Sequence, residues 1–200
     1  RYWAMASRST ALLGRDKCYA VEEPGYGKIA RIYGVNQVAL EYIGVDDKGL
    51  DIAALRRKEA DVVHISPSHH YPTGIVMPIG RRHELLRWAA QKPGRYILED
   101  DYDSEFRFVG RPIPTLYSAD ENRRVIYINT FSKTIAPSIR ISYMVLPPRC
   151  SPRAAACSRS RASERAVGRV MRKCSPASCS VILAPRPLFS MVSITASRFW

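Results

Sequence analysis

The stretch TFSKTIAPSIR, residues 130–140, places one lysine among hydroxyl residues directly after the apolar run VIYIN. Taken alone, such a stretch is most often an exposed loop whose lysine is solvated. Lys133 becomes a candidate for covalent chemistry only if other polar groups lie near it, because an amine is a weak nucleophile until its surroundings activate it. The neighbouring polar segments therefore decide the role of this lysine.

Two further polar clusters follow apolar runs in the same way. The cluster SPSHHYPTG begins after Ile65, and the cluster EDDYDSEF begins after Leu98. In a parallel sheet the carboxyl ends of the strands lie at one edge, and functional groups gather there. The sequence therefore predicts that all three clusters face one crevice.

The residue types in these clusters match the needs of pyridoxal phosphate. This cofactor requires an amine that holds it as a Schiff base, a carboxylate that keeps its pyridine nitrogen protonated, and donors that bind its phosphate. Lys133 supplies the amine, and Asp100 or Asp101 supplies the carboxylate. The phosphate donors are Thr130, Ser132 and Arg140. A carboxylate beside the ring nitrogen favours the charged pyridinium, which withdraws electrons from the substrate α-carbon in transamination.

An α/β fold is predicted for residues 17–148, where apolar runs alternate with helical segments. Helices are expected over Tyr26 to Tyr33, Ile52 to Lys58 and Ile79 to Gln91. The short, continuously apolar strands favour a mostly parallel sheet with helices on both faces. In the third helix, Trp88 is expected to be buried and Arg82 to be solvated.

The net charge of +13 is concentrated near the C-terminus. Residues 149–200 hold ten Lys and Arg side chains against the single acid Glu164, and they show neither helical nor strand periodicity. Three interpretations remain open for this unpatterned basic tail: a disordered segment, a nucleic-acid-binding arm, or the product of a shifted reading frame. The abrupt change after Pro148 favours the shifted frame. Residues 1–16 are interpreted as a clipped N-terminal helix.

The sequence predicts neither a membrane-spanning segment nor a metal-binding site. The sequence has no run of about 18 apolar residues and no signal-peptide pattern, so a cytoplasmic location is expected. Four of the five cysteines lie in the tail without the C-x₂-C spacing of zinc sites. The adjacent residues His69 and His70 lack a carboxylate or cysteine at a familiar zinc spacing. We expect His69 to line the pocket instead.

The order and amino-acid sequences of these segments resemble the aminotransferase-like domain of the MocR/GabR group of GntR-family transcription regulators. That domain is similar to the fold-type I aminotransferases of the class I/II superfamily. The motifs that carry the resemblance are EEPGY, PSHHYPTG, EDDYDSEF, TFSK and IRISYMVLPP. They extend over roughly residues 17–148, and their combination is specific although each is short. The resemblance implies part of the large domain of a fold-type I enzyme, with pyridoxal phosphate as cofactor.

The resemblance also gives each matching residue a role. Lys133 would be the Schiff-base lysine and Asp100 the partner of the pyridine nitrogen, with Asp101 as second choice. Tyr102 would donate a hydrogen bond to the cofactor's ring hydroxyl. Tyr26 would stack on the ring, and Tyr71 would lie near that hydroxyl. The phosphate ligands would be Thr130, Ser132 and Arg140.

Several parts of the family are not found in this sequence. They are an N-terminal winged helix-turn-helix, a Gly-Ser-rich turn upstream of EEPGY that cradles the phosphate, and a C-terminal small domain with an arginine for the substrate carboxylate. We therefore expect a gene fragment that is inactive as an aminotransferase, and DNA binding only through a domain outside it. The complete family member is expected to be a homodimer that takes an amino acid or amine as effector or substrate. A free-standing class I/II aminotransferase and a basic nucleic-acid binder remain as alternatives.

Overall fold

The computed structural model describes residues 2–102, 114–130, 142–147, 150, 180–184 and 192–195. The helices are α1 (Tyr2–Leu13), α2 (Gly27–Val35), α3 (Ile52–Arg57), α4 (Ile79–Gln91) and α5 (Leu116–Ala119). The strands are β1 (Cys18–Glu23), β2 (Ala39–Asp46), β3 (Gly49–Leu50), β4 (Val62–Ile65), β5 (Tyr96–Asp100), β6 (Val125–Thr130), β7 (Ser142–Leu146), β8 (Ser180–Ala184) and β9 (Val192–Thr195).

The strands form one sheet in the order β3-β2-β1-β4-β5-β6-β7-β8-β9. Its centre is parallel, from β2 through β1, β4 and β5 to β6. The strands β3, β7, β8 and β9 pair antiparallel with their neighbours. The predicted α/β fold with a mostly parallel sheet is confirmed in this centre, and the antiparallel margins make the complete sheet mixed.

Helices cover both faces of the sheet. Successive residues of a strand point to opposite faces, so one strand contacts helices on both sides. Leu98 of β5 packs in one hydrophobic cluster with Met5 of α1 and Tyr33 of α2. Its neighbour Ile97 belongs to a second cluster, which contains Trp88 of α4. The predicted helices on both faces are therefore present, and Trp88 is buried as expected.

Helix α4 has the predicted bounds, but the prediction that Arg82 is solvated is wrong, since only 4% of this residue is exposed. Its guanidinium lies 3.8 Å from the carboxylate of Glu99. It also donates hydrogen bonds of 2.8, 2.9 and 3.1 Å to the backbone carbonyls of Pro67, Met77 and Pro114. A buried arginine is tolerated where its donors are paired, so Arg82 joins α4 to the loop before it and to the segment that leads into α5.

Some elements were not predicted from the sequence. Helix α5 begins with a side-chain cap, in which Thr115 accepts a hydrogen bond from the backbone of Ser118 at 3.0 Å. Strands β8 and β9 lie within residues 149–200, for which the sequence predicts no pattern. The division into residues 1–16, 17–148 and 149–200 and the shifted-frame origin of the tail stay predictions. Within the described part of the chain, no helix has the length and apolar character needed to cross a membrane.

Candidate functional site

A cavity of about 330 Å³ opens at the carboxyl ends of β1 and β4, and we call it the tyrosine cavity. Tyr26 and Tyr71 line it, with ring centroids 5.6 Å apart and ring planes at 88°. His64 of β4 and Ser66, which follows that strand, form another part of the wall. The structure therefore brings together two tyrosines that the sequence placed in separate motifs.

Two glycines permit the turns that carry these tyrosines. A Cβ atom at Gly25 would clash with the backbone carbonyl oxygen of Glu22, and the next residue, Tyr26, forms the extended N-terminal cap of α2. Gly74 has a φ of +75°, which residues with a side chain rarely adopt. Its N–H donates a 2.7 Å hydrogen bond to the carbonyl of His70 and closes the loop after Tyr71. The glycines of PGY and PTG thus have a local structural role.

The two aspartates at the end of β5 have different surroundings. Asp100 is 4% exposed and lies beside His64, with 3.8 Å between Oδ2 and Nε2. Asp101 instead accepts a 2.8 Å hydrogen bond from the hydroxyl of Tyr127. Asp100 and Thr130 line a second cavity of about 10 Å³, and His64 lines both cavities. The two carboxylates therefore face different elements, and the choice of Asp100 as the partner of a ring nitrogen stays a prediction.

The remaining predicted site residues fall into two groups. Thr130 is 4% exposed at the end of β6. Tyr102 lies beside His69, with 6.1 Å between ring centroids, whereas His69 is not on the described wall of the tyrosine cavity. The roles of three residues stay predictions because they lie outside the described residues: Ser132, Lys133 and Arg140.

Sequence reasoning missed a buried pair, Glu22 and His70, next to the two tyrosines. Their side chains are 8% and 2% exposed, and 3.7 Å separates Oε2 from Nε2. Burial raises the pKa of Glu22 to about 8, and burial lowers the pKa of His70. Both shifts favour an uncharged pair near neutral pH. The available signal was the first glutamate of the EEPGY motif.

His64 provides a polar centre between the two cavities. Its Nδ1 lies 2.8 Å from the hydroxyl of Tyr33, whose pKa is raised by burial, so this phenol stays neutral. Its Nε2 is buried and makes no hydrogen bond to a described residue. Buried polar atoms normally have partners, so this nitrogen is available to a bound group near Asp100. Nowhere in the described ranges do three His, Cys, Asp or Glu side chains come together in a group that could hold a metal ion.

Two transcriptional regulators are similar to this chain over about two thirds of its length. The HTH-type transcriptional regulator YdeL of Bacillus subtilis is 45% identical over 126 residues, which are 63% of this chain and 27% of the relative. The probable rhizopine catabolism regulatory protein MocR of Rhizobium meliloti is 37% identical over 133 residues, 66% of this chain and 27% of the relative. The chain thus spans about a quarter of the length of these relatives. No family model matches it.

The solved structure of Pyrococcus horikoshii kynurenine aminotransferase, in complex with PMP, superimposes with a TM-score of 0.66 and 29% identity. The likeness covers 75% of this chain and 41% of the aminotransferase. Over about two thirds of its length this chain is therefore similar to MocR-type HTH regulators, and its fold is that of the fold-type I aminotransferases. The resemblance stated from the motifs is therefore confirmed, and so is the α/β fold of the fold-type I aminotransferases.

Proposed function

We propose that residues 17–148 form part of a pyridoxal-phosphate-binding effector domain of a transcriptional regulator. The observation that carries this proposal is the buried carboxylate of Asp100 at the carboxyl end of β5, which is joined through His64 to the tyrosine cavity. A carboxylate in this place would pair with the ring nitrogen of the cofactor, and an aromatic side chain would cover the ring. Tyr26 supplies that aromatic side chain.

The described residues fit the chemistry of this cofactor. The fit rests on the available Nε2 of His64 beside Asp100 and on Thr130 at the wall of the same small cavity. When bound, pyridoxal phosphate supplies an electron sink for bonds at the amine-bearing carbon of an amino compound. In this proposal Asp100 maintains the positive charge of the ring nitrogen. Tyr102 would donate a hydrogen bond to the ring hydroxyl, and Tyr71 would lie near that hydroxyl.

Lys133, Ser132 and Arg140 complete the proposed site, and their roles rest on the sequence alone. Lys133 would bind the cofactor covalently, because its amine is the nucleophile that such a site requires. The phosphate would be held by hydroxyl and guanidinium donors, which suit a tetrahedral, doubly charged anion. Those donors are Thr130, Ser132 and Arg140.

We propose that the domain senses an amino acid or amine and does not serve metabolism by turnover. The two relatives with 45% and 37% identity are transcriptional regulators, which supports this role. A small molecule shifts a conformational equilibrium when it binds one state more tightly than the other. In the complete regulator, which we expect to be a cytoplasmic homodimer, DNA would be bound by a part outside residues 17–148.

A free-standing aminotransferase is the second candidate, and the 29% identity to kynurenine aminotransferase favours it. The two candidates differ in what the complete protein does with an amino acid. A regulator changes its DNA binding when the amino acid is added, whereas an aminotransferase converts it to a 2-oxo acid with repeated turnover. The higher identity to the regulators supports the sensing role, which we therefore propose first.

The cofactor proposal is tested in a chimera in which residues 17–148 replace the matching segment of the Bacillus subtilis relative. Pyridoxal phosphate is added, the protein is reduced with borohydride, and its peptides are mapped. We expect the label on the Lys133 peptide and no label in a Lys133→Arg variant. A Lys92→Arg variant is the control, because Lys92 is an exposed lysine far along the chain from the proposed site. Label on another lysine, with none at Lys133, would contradict the assignment.

The choice between the two aspartates is tested in the same chimera. Asp100→Asn keeps the shape of the side chain but removes the charge that stabilises the ring nitrogen. We expect it to slow exchange of the α-proton of a bound amino acid by more than about tenfold, a barrier increase above about 1.4 kcal/mol, while cofactor binding persists. An Asp101→Asn variant with the larger loss would show that Asp101 is the partner.

A further inference from the structure

We propose that Glu22, on the wall of the tyrosine cavity, keeps a proton at neutral pH beside the imidazole of His70, and that this pair sets the positions of Tyr26 and Tyr71. Glu22 and His70 lie beside the proposed cofactor ligands, and neither residue is itself a proposed ligand. Its members are positioning residues, because they act on the cavity through the two tyrosines.

Each member of the pair lies on the same short segment as one of the tyrosines. Glu22 lines the cavity near the carboxyl end of β1, four residues before Tyr26. His70 immediately precedes Tyr71 in the loop after β4. A change in the separation of the carboxyl group and the imidazole therefore moves the two aromatic rings relative to each other.

The loop geometry holds the imidazole of His70 against Glu22. The Nδ1 atom lies 2.7 Å from the hydroxyl of Thr73, and the backbone N–H of His70 donates to the carbonyl of Ile75 at 2.9 Å. The other ring nitrogen, Nε2, is buried and lies 3.7 Å from Glu22 Oε2. On the opposite side, the backbone N–H of Ser66 donates a 3.0 Å hydrogen bond to the same carboxyl oxygen. The imidazole also interacts with the backbone carbonyl of Pro24, which partly offsets the lowering of the His70 pKa by burial.

The charges around the pair oppose ionisation of Glu22. Asp100 of β5 faces it with a second carboxyl group, and no Lys or Arg of the described ranges forms an ion pair with it. His64, from β4, lines the same cavity. An ionised carboxylate buried without a cation is costly, which agrees with the raised pKa of Glu22 and the lowered pKa of His70. At neutral pH the proton is therefore on Glu22, and at higher pH it passes to solvent.

Loss of that proton changes the contact between the two segments. The protonated acid carries no charge where it lies 3.7 Å from the His70 imidazole, whereas the carboxylate is repelled by Asp100. Since Tyr26 and Tyr71 meet edge to face, a small displacement of either segment alters the magnetic environment of both rings. The ring positions of Tyr26 and Tyr71 should therefore change with pH at the same midpoint as the protonation of Glu22.

The first test is a pH titration of the unaltered 200-residue chain, without added cofactor, by NMR of ¹³C-labelled glutamate carboxyl groups and tyrosine rings. Glu22→Gln assigns the carboxyl signal, and Tyr26→Phe and Tyr71→Phe assign the rings. We expect the Glu22 carboxyl to titrate with a midpoint of about 8 and both tyrosine signals to move with the same midpoint. A midpoint near the ordinary glutamate value of about 4.3, or ring signals that do not follow, would overturn the proposal.

Matched variants separate the pair from a general effect of pH. Glu22→Gln resembles the protonated acid, so its tyrosine signals should stay at their low-pH positions up to pH 9. Glu23→Gln changes an exposed glutamate on the wall of the same cavity and should leave the titration intact. His70→Gln should shift the midpoint. The outcome is independent of the cofactor proposal because no cofactor is present. If a variant does not fold, through-bond resonance assignment of the unaltered chain identifies the same carboxyl and ring signals.

Discussion

Replacing Arg82 by Met should destabilise the fold by about 3–5 kcal/mol, the usual cost of removing one partner of a buried ion pair. The substitution retains most of the apolar stem and removes the guanidinium. That group serves three backbone carbonyls and faces the carboxylate of Glu99, which is fully buried. The variant therefore leaves several buried acceptors without their charged donor.

The magnitude follows from what remains after the substitution. Hydrogen bonds to a charged donor contribute about 1.5–3 kcal/mol each. Three such bonds would by themselves suggest a loss of stability greater than about 3–5 kcal/mol. Glu99 limits the loss, because it keeps hydrogen bonds from the backbone N–H groups of Leu116 and Tyr117 at 2.8 and 2.9 Å. Burial also raises the pKa of Glu99 to about 7, so it can take up a proton near neutral pH at little cost.

The assay is urea denaturation at pH 7, followed by circular dichroism. The matched control is Arg87→Met, which changes an exposed arginine on the same helix and should alter the free energy of unfolding by less than about 0.5 kcal/mol. Arg82→Lys should fall between the two, since an ammonium keeps the charge but cannot reach three carbonyls at once. If Arg82→Met lies within about 1 kcal/mol of Arg87→Met, the proposed role of the buried guanidinium is refuted.

Three other predictions concern the cavity and its supports. The free energy of unfolding should fall as the pH rises from 4.5 to 8, by on the order of 3 kcal/mol from Glu99 alone. Burial raises the pKa values of Glu99 and Glu22 to about 7 and 8, so the folded state binds more protons than the unfolded state in this range. A free energy of unfolding that does not change with pH, measured by urea denaturation, would contradict this prediction. Tyr33→Phe should cost about 1–3 kcal/mol by leaving a buried imidazole nitrogen unpaired, whereas Tyr42→Phe, at a residue that is 52% exposed, should be nearly neutral in the same assay. Gly25→Ala should alter the tyrosine ring signals in NMR spectra, because its Cβ would displace the turn before α2; unchanged signals would argue against that turn as the support of the cavity.

The sequence by itself determined the class of fold, the order of most elements and the set of motif residues. Apolar periodicity is a local property, so the bounds of α4 and the buried position of Trp88 could be predicted without a structure. The motifs EEPGY, PSHHYPTG and EDDYDSEF were sufficient to indicate the family because their residue types and order are specific in combination. The sequence also placed Tyr71 in a cluster that follows a strand, and it placed Tyr26 at the start of a helix.

Only the tertiary structure decided which polar groups share a wall. Asp100 and Asp101 are adjacent in the sequence, yet one lies beside His64 and the other accepts a hydrogen bond from Tyr127, because neighbouring residues at a strand end face different elements. Arg82 lies on what the helical pattern treats as a polar side, and it is buried because loops distant in sequence fold over it. Burial of this kind, and the pKa shifts that it causes, depends on long-range packing that local periodicity does not encode.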